Sequence, residues 1–263
     1  MTQNGTLKAG GDGSGAPDVR VTPRHLRQQA LIASLFSDAV VVETCDPRDA
    51  PPSPFAEETA GLSPNAVDKR RREFAAGRAA AHRAMERLGQ PAVPILIGPK
   101  RAPIWPTGII GSISHCGIAA AAALCHQPDC AALGVDLEED LPLSDDLIPQ
   151  ICRPAEREWL QQQINPGQLA KVIFSAKEAA YKCQYHQSET FFGFDGMELE
   201  MTLDNPGSGR GNGSAVSYGA SRRGRFVARF TADRPPFRRG DGIAGQFAIG
   251  EGLIATATQL PLV

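Results

Sequence analysis

The stretch GIIGSISHCGIAAAAALCHQPDCAALGVDLEE, residues 108–139, decides the fold class of this chain. Three apolar segments follow one another in it: Gly108 to Ile113, Ile118 to Cys125 and Ala131 to Leu137. Each has the length of a strand and is bounded by Gly, Pro or polar residues. His126-Gln127-Pro128-Asp129 reads as the turn between the last two. Strands this close in sequence pair as hairpins, because a parallel pair needs a long crossover.

Working outward, the pattern stays mixed. Upstream, HLRQQALIASLF (25–36) reads as a helix leading into a short strand at Ala39 to Val42. The Pro-rich residues 46–64 read as an irregular connection. A long helix follows from Asn65 to Leu88, with Ser63 as N-cap, Pro64 in its first turn and Gly89 closing it. Val93 to Ile97 suits a strand. Downstream come helices over Pro154 to Gln163 and Gln168 to Gln184. Strands follow at Met197 to Leu203, Arg225 to Phe230 and Gly245 to Thr258, with the Gly-rich loop DNPGSGRGNGS at 204–214. Helices and hairpins without regular βαβ alternation indicate an α+β fold.

Composition narrows the function classes. The 263 residues suffice for one large domain or two small ones. Lys and Arg number 27 against 29 Asp and Glu, a net charge of −2, which argues against bulk binding to nucleic acid or membrane. No apolar run approaches the length of a membrane span. Residues 1–19 form a Gly-rich tail without an apolar signal segment, so a disordered tail and a cytoplasmic protein are expected. The six cysteines show no C-x-x-C pair and read as buried free thiols, in preference to a zinc site at Cys125, His126 and Cys130.

Three groups of residues carry chemistry. On the long helix, Val67, Phe74, Ala81, Met85 and Leu88 form one apolar stripe. Arg71, Arg78 and His82 border it on one side and Arg70 on the other, while Arg72, Arg83 and Arg87 point to solvent. Border arginines can reach into a cleft and grip a phosphate with a bidentate fork, which makes Arg70, Arg71 and Arg78 phosphate candidates. Next, Asp136 and Glu138 share one face of a strand. They either form a solvated acidic edge or hold a hard cation such as Mg²⁺. Last, Lys171, Ser175, Glu178 and Lys182 form a polar line along the helix that carries F-S-A-K-E-A-A-Y-K (174–182). Glu178 and Lys182 could equally be an ordinary surface pair.

Taken together, RRREFAAGRAAAHRAMERLG (70–89), PILIGPKRAPIWPTGIIGSISHC (94–116), GVDLEE (134–139) and FSAKEAAYKC (174–183) resemble the 4′-phosphopantetheinyl transferases. The likeness is to the surfactin/enterobactin-synthetase type, in the branch of the enterobactin-synthetase component and the mycobacterial enzymes. It covers roughly residues 65 to 200. The resemblance implies a monomer of two similar α/β halves related by a pseudo-twofold axis. A tail at 1–19 would precede an N-terminal half, 20–131, that binds cofactor phosphates, and a C-terminal half, 132–263, that carries metal and catalytic residues. It also implies Mg²⁺-dependent transfer of the 4′-phosphopantetheine arm from coenzyme A to a serine of an apo acyl or peptidyl carrier protein, releasing 3′,5′-ADP.

By position, Asp136, Glu138 and Glu178 would bind the metal, and Lys182 would contact the reacting phosphate or assist proton transfer. Glu178, directly or through a metal-bound water, is the preferred base and Lys182 its rival. Arg70 and Arg78 would hold the 3′-phosphate, with His115 also on a phosphate; Lys100, Arg101, Ser114 and Lys177 would add cofactor contacts. Some relatives carry a basic residue where this chain has Ile97, and Lys100 or Arg101 is expected to replace it. Arg222, Arg223, Arg225, Arg238 and Arg239 are candidates for a basic rim facing an acidic carrier. Neither nucleic acid nor membrane is expected as a partner. A non-catalytic coenzyme A or carrier-binding protein is the alternative.

Overall fold

The computed structural model describes residues 23–204 and 222–262; the tail expected at 1–19 and all but Asp204 of the loop at 204–214 lie outside them. In chain order the elements are α1 (Arg24–Ala33), β1 (Val41–Cys45), α2 (Ala56–Thr59), α3 (Asp68–Arg87), β2 (Leu96–Ile97), β3 (Pro103–Ile104), β4 (Ile109–Cys116), β5 (Ala119–His126) and β6 (Ala132–Glu139). Then come α4 (Ile148–Ile151), α5 (Pro154–Gln161), α6 (Pro166–Ser188), β7 (Met197–Leu203), β8 (Arg222–Phe230), β9 (Gly242–Gly250) and β10 (Leu253–Leu260). One antiparallel sheet has the order β1-β5-β4, a second the order β6-β10-β9-β8-β7, and β2 with β3 makes a small ribbon. Helix and antiparallel sheet are mixed as the α+β reading requires. Among the described residues no helix is long and apolar enough to cross a membrane.

The near-continuous alanine run makes β5 a strand buried on both faces. Ala119, Ala121 and Ala123 pack with α1 and with Val135 and Leu137 of β6. Ala122 and Leu124 pack with Ala80, Ala81, Ala84 and Met85 of α3. Small residues on both partners let α3 lie close against its sheet, which is why that helix is buried over much of its length. On the second sheet, α6 lies over β6 and β10. Its apolar face meets Phe226, Phe230 and Phe247, each contributing about 2 kcal/mol of burial. Gly134 allows the close approach: a Cβ there would sit 1.9 Å from the Ala179 carbonyl oxygen.

Several expectations need correction. The long helix starts at Asp68, with Val67 at its N-cap and 68% exposed, so Ser63 is not the cap and Val67 is not in the apolar stripe. The Ser63 hydroxyl instead accepts the Asn65 N–H and closes an entry turn. Gly89 does end the helix, at φ +73°. Residues 46–64 are not wholly irregular, since α2 lies within them. The strand expected at 93–97 shrinks to Leu96–Ile97. The last strand is a hairpin, β9 and β10, that turns at Glu251 and Gly252, both with positive φ. Cys125 and Cys130 are not free thiols: the turn at 127–129 brings them together and they form a disulfide. Cys45, Cys116, Cys152 and Cys183 are free.

Candidate active site

The site begins where the two sheets meet. β4 and β6 run side by side without a backbone ladder. Serine hydroxyls fill the gap: Ser112 Oγ accepts the Val135 N–H at 3.1 Å and Ser114 Oγ accepts the Leu137 N–H at 3.2 Å. The G-S-I-S-H spacing puts both serines on the same edge of β4. Strand alternation then sends Val135 and Leu137 into the core and turns Asp136 and Glu138 towards α6.

Lys182, one turn beyond Glu178 on α6, reaches this seam. Its ammonium donates to Asp136 Oδ1 at 2.7 Å, to the Val135 carbonyl at 3.0 Å and to Ser114 Oγ at 3.1 Å. Ser114 also donates to Asp136 Oδ1 at 2.9 Å. Asp136 Oδ2 is buried and has no hydrogen-bond partner. Glu138 is paired with Lys171 at 3.1 Å. Burial, reinforced by the Asp136 charge, raises Glu138 and Glu178 above the ordinary carboxylate range, with Lys171 and Lys182 pulling back.

A cleft of about 290 Å³ opens beside the seam, lined by Arg70, Phe74, Gly77, Arg78, Ile97, Arg101, Pro103, Ile113, Ser114, His115, Asp136 and Lys182. A second groove of about 490 Å³ continues from it between residues 98–104 and α6, and includes Lys100, Arg101, Glu178, Tyr181 and Lys182. His115 Nε2 lies 2.7 Å from Arg70 Nη1, and its Nδ1 faces Glu73 Oε2 at 3.4 Å. Burial and the neighbouring Arg70 push the imidazole down to about 4, so it is neutral near pH 7 and accepts from Arg70. Burial likewise lowers Arg70 and Arg78, and Arg101 adds to the repulsion on Arg70. Cations crowded this way favour an anion between them.

Two family models match the chain: the 4′-phosphopantetheinyl transferase N-terminal domain over residues 57–125, and the 4′-phosphopantetheinyl transferase superfamily over residues 132–230. The 4′-phosphopantetheinyl transferase Svp of Streptomyces mobaraensis is 36% identical, covering 86% of this chain and 88% of its own length. The chain belongs to the 4′-phosphopantetheinyl transferase superfamily. The transferase PptT of Mycobacterium tuberculosis is 31% identical over 91% of this chain and all of its own. Enterobactin synthase component D of Salmonella typhi is 41% identical over 50% of this chain and 55% of its own length.

Within this transferase, not every candidate converges. Arg70, Arg78, Arg101, Ser114, His115, Asp136 and Lys182 share the cleft, while Lys100 and Glu178 line the adjoining groove. Glu138 stands behind them with Lys171. Lys177 is turned away: its buried ammonium donates to the Ile151 carbonyl, Glu156 Oε2 and the Phe194 carbonyl, with no bond left for a cofactor. Arg71 is used locally, on the carbonyls of Ala66 and Pro64 at the helix entry, and is not in the cleft. Arg83 and Arg87 are not simply solvated, because both reach β1, to Thr44 and Glu43. Arg222 and Arg223 bond to Gln168 and Ser34, and none of the five arginines of the expected basic rim lines the cleft.

Two buried glutamates escaped sequence reasoning. Glu58 accepts the Phe55 N–H and Glu156 the Arg153 N–H, each from the third position of a short helix. That spacing is half of a capping box, and it is the signal that could have found them.

Among the described residues no three His, Cys, Asp or Glu side chains form a ready-made metal cluster. The donor chemistry nevertheless fits a hard divalent cation. Asp136 offers a buried oxygen with no partner, and Glu138 and Glu178 are raised by burial first and then by the Asp136 charge, which such a cation would offset.

Proposed function

We propose that this transferase moves the 4′-phosphopantetheine group from coenzyme A to a serine of an apo acyl or peptidyl carrier protein, releasing 3′,5′-ADP. The observation that carries this reading is a single cleft with Arg70, Arg78 and Arg101 on one wall, facing Asp136 and Lys182 on the other. Such a cleft suits a ligand bearing a separate phosphate and a pyrophosphate. Arg70 and Arg78 would grip the 3′-phosphate bidentately, with His115 beside them. Lys100 and Arg101 would contact the nucleotide. Residues 20–131 would form the phosphate-binding half, and 132–263 the half bearing the acidic and catalytic residues.

Asp136, Glu138 and Glu178 would hold Mg²⁺, which when bound supplies charge neutralisation at the pyrophosphate. In the transfer, the carrier serine oxygen forms a bond to the β-phosphorus while the bond to the 3′,5′-ADP oxygen breaks. The serine proton passes to Glu178, which is half-buried and held above the ordinary carboxylate range. Lys182 already donates to three acceptors, which supports a role in holding Asp136 and offering positive charge, in preference to that of base. Phosphoryl transfer of this kind depends mainly on positioning and charge.

Incubation with coenzyme A, Mg²⁺ and a panel of apo carriers should add about 340 Da to the carrier serine, read by intact mass. Chelation of the divalent ion should stop it. No mass increase on any carrier would overturn the reading.

A further inference from the structure

Glu58 sits in the connection that the sequence reads as irregular, and it is fully buried. A carboxylate in that position is costly unless several donors satisfy it. Oε2 accepts the Phe55 N–H at 2.9 Å. Oε1 accepts the Ile95 N–H at 2.9 Å, lies 2.9 Å from His82 Nε2, and faces Arg78 Nε at 3.6 Å. Burial pushes Glu58 upward, yet these hydrogen bonds outweigh it and hold the carboxyl below its usual range.

These contacts join the two segments that bring Arg78 and Arg101 to the cleft. Arg78 is 6% exposed, stacks on the Phe74 ring at 4.6 Å, and has a buried Nε with no hydrogen bond. Burial lowers Arg78, and Glu58 counteracts it. The Ile95 bond fixes the start of the segment that continues to Ile97 and Arg101, both of which line the cleft.

We propose that Glu58 is a positioning residue: it sets the place and orientation of the Arg78 guanidinium, and the lead-in to Ile97 and Arg101, so that the cleft is preformed for the donor's 3′-phosphate. This rests on the reading of Arg78 as a 3′-phosphate contact. Two effects oppose each other when the Glu58 charge is removed. A lost negative charge favours any anion nearby, whereas a displaced guanidinium disfavours this one. Position dominates, because Arg78 has no other carboxylate within salt-bridge distance among the described residues.

The test is calorimetric binding of coenzyme A and of 3′-dephospho-coenzyme A to the full chain, in wild type, Glu58→Gln, Glu58→Asp and Arg78→Ala. Glu58→Gln should weaken coenzyme A about tenfold and dephospho-coenzyme A less than about twofold. Glu58→Asp keeps the charge but withdraws it from Arg78, so it should give a smaller loss of the same selectivity. It also serves if the glutamine variant does not fold. Equal weakening of both ligands by Glu58→Gln, or coenzyme A binding as tight as wild type or tighter, overturns the positioning role when Arg78→Ala weakens coenzyme A selectively. If Arg78→Ala weakens coenzyme A no more than 3′-dephospho-coenzyme A, the phosphate reading itself falls, and the proposal with it.

Discussion

The two walls of the cleft are built by opposite means. The arginine wall is carried by α3 and the segment before β3 that bears Arg101, and is backed by a buried carboxylate, Glu58, that bonds to backbone on either side of α3. The acidic wall is carried by a strand and a helix, and its carboxylates are met by lysines of that same helix, Lys171 and Lys182. Each wall leaves one buried polar atom unpartnered, Arg78 Nε on one side and Asp136 Oδ2 on the other. The difference lies in where the counter-charge stands. Glu58 is behind the arginine and out of the cleft, whereas Lys182 lines the cleft itself. Thus the basic wall is rigidly preset, while the acidic wall can exchange partners when a ligand arrives.

The sharpest way to break this contrast is to remove the acidic wall. Asp136→Ala or Glu178→Ala should lower transfer by about a thousandfold or more. Glu178→Ala should unfold near the wild-type temperature, whereas Asp136→Ala should unfold lower because it strands Lys182 and Ser114. Wild-type turnover in either variant would sink the acidic assignment. Gly134→Ala attacks the seat of that wall, because the added methyl meets the Ala179 carbonyl. A loss of about 3 kcal/mol is expected in chemical denaturation, together with reduced transfer as α6 is pushed off β6.

On the basic wall, His115 gives a pH signature. Its folded value of about 4 lies below that of the unfolded chain, so the unfolded state binds the proton more readily between the two. Stability should therefore fall as pH drops from about 6.5 towards 4, and His115→Phe should flatten that slope. An imidazole that NMR finds charged at pH 6 would contradict the neutral assignment. The smallest effect belongs to Arg87→Ala, on the same helix but outside the cleft. Its exposed pair with Glu43 should cost about 0.5 kcal/mol and leave transfer unchanged.

What could be read in advance follows the range of the interactions. Strand alternation is local, so Asp136 and Glu138 could be placed on one face without a structure. Helical spacing likewise put Arg70 and Arg78 at the edge of a buried stripe. The inward turn of Lys177 is not legible in the sequence, because its partners, Glu156, Ile151 and Phe194, lie on other elements, and no periodicity tells an inward lysine from an outward one. Glu58 was missed for the same reason. Its meaning comes from Ile95 and His82, both distant in sequence. The Cys125–Cys130 disulfide depends on the geometry of a turn that spacing alone does not define.

The serines between β4 and β6 have a mechanical consequence. Where a continuous ladder would clamp the sheets along their whole edge, two hydroxyls act as pins, Ser112 on Val135 and Ser114 on Leu137. Each such bond contributes about 1 kcal/mol, so the pins set the edge between β4 and β6, while the apolar core shared by β5 and β6 holds the sheets together. One of the pins, Ser114, is also held by Lys182 and Asp136. The acidic wall and the joint therefore share a fastener, and a change of partners at Asp136 is felt directly in how firmly that edge is pinned.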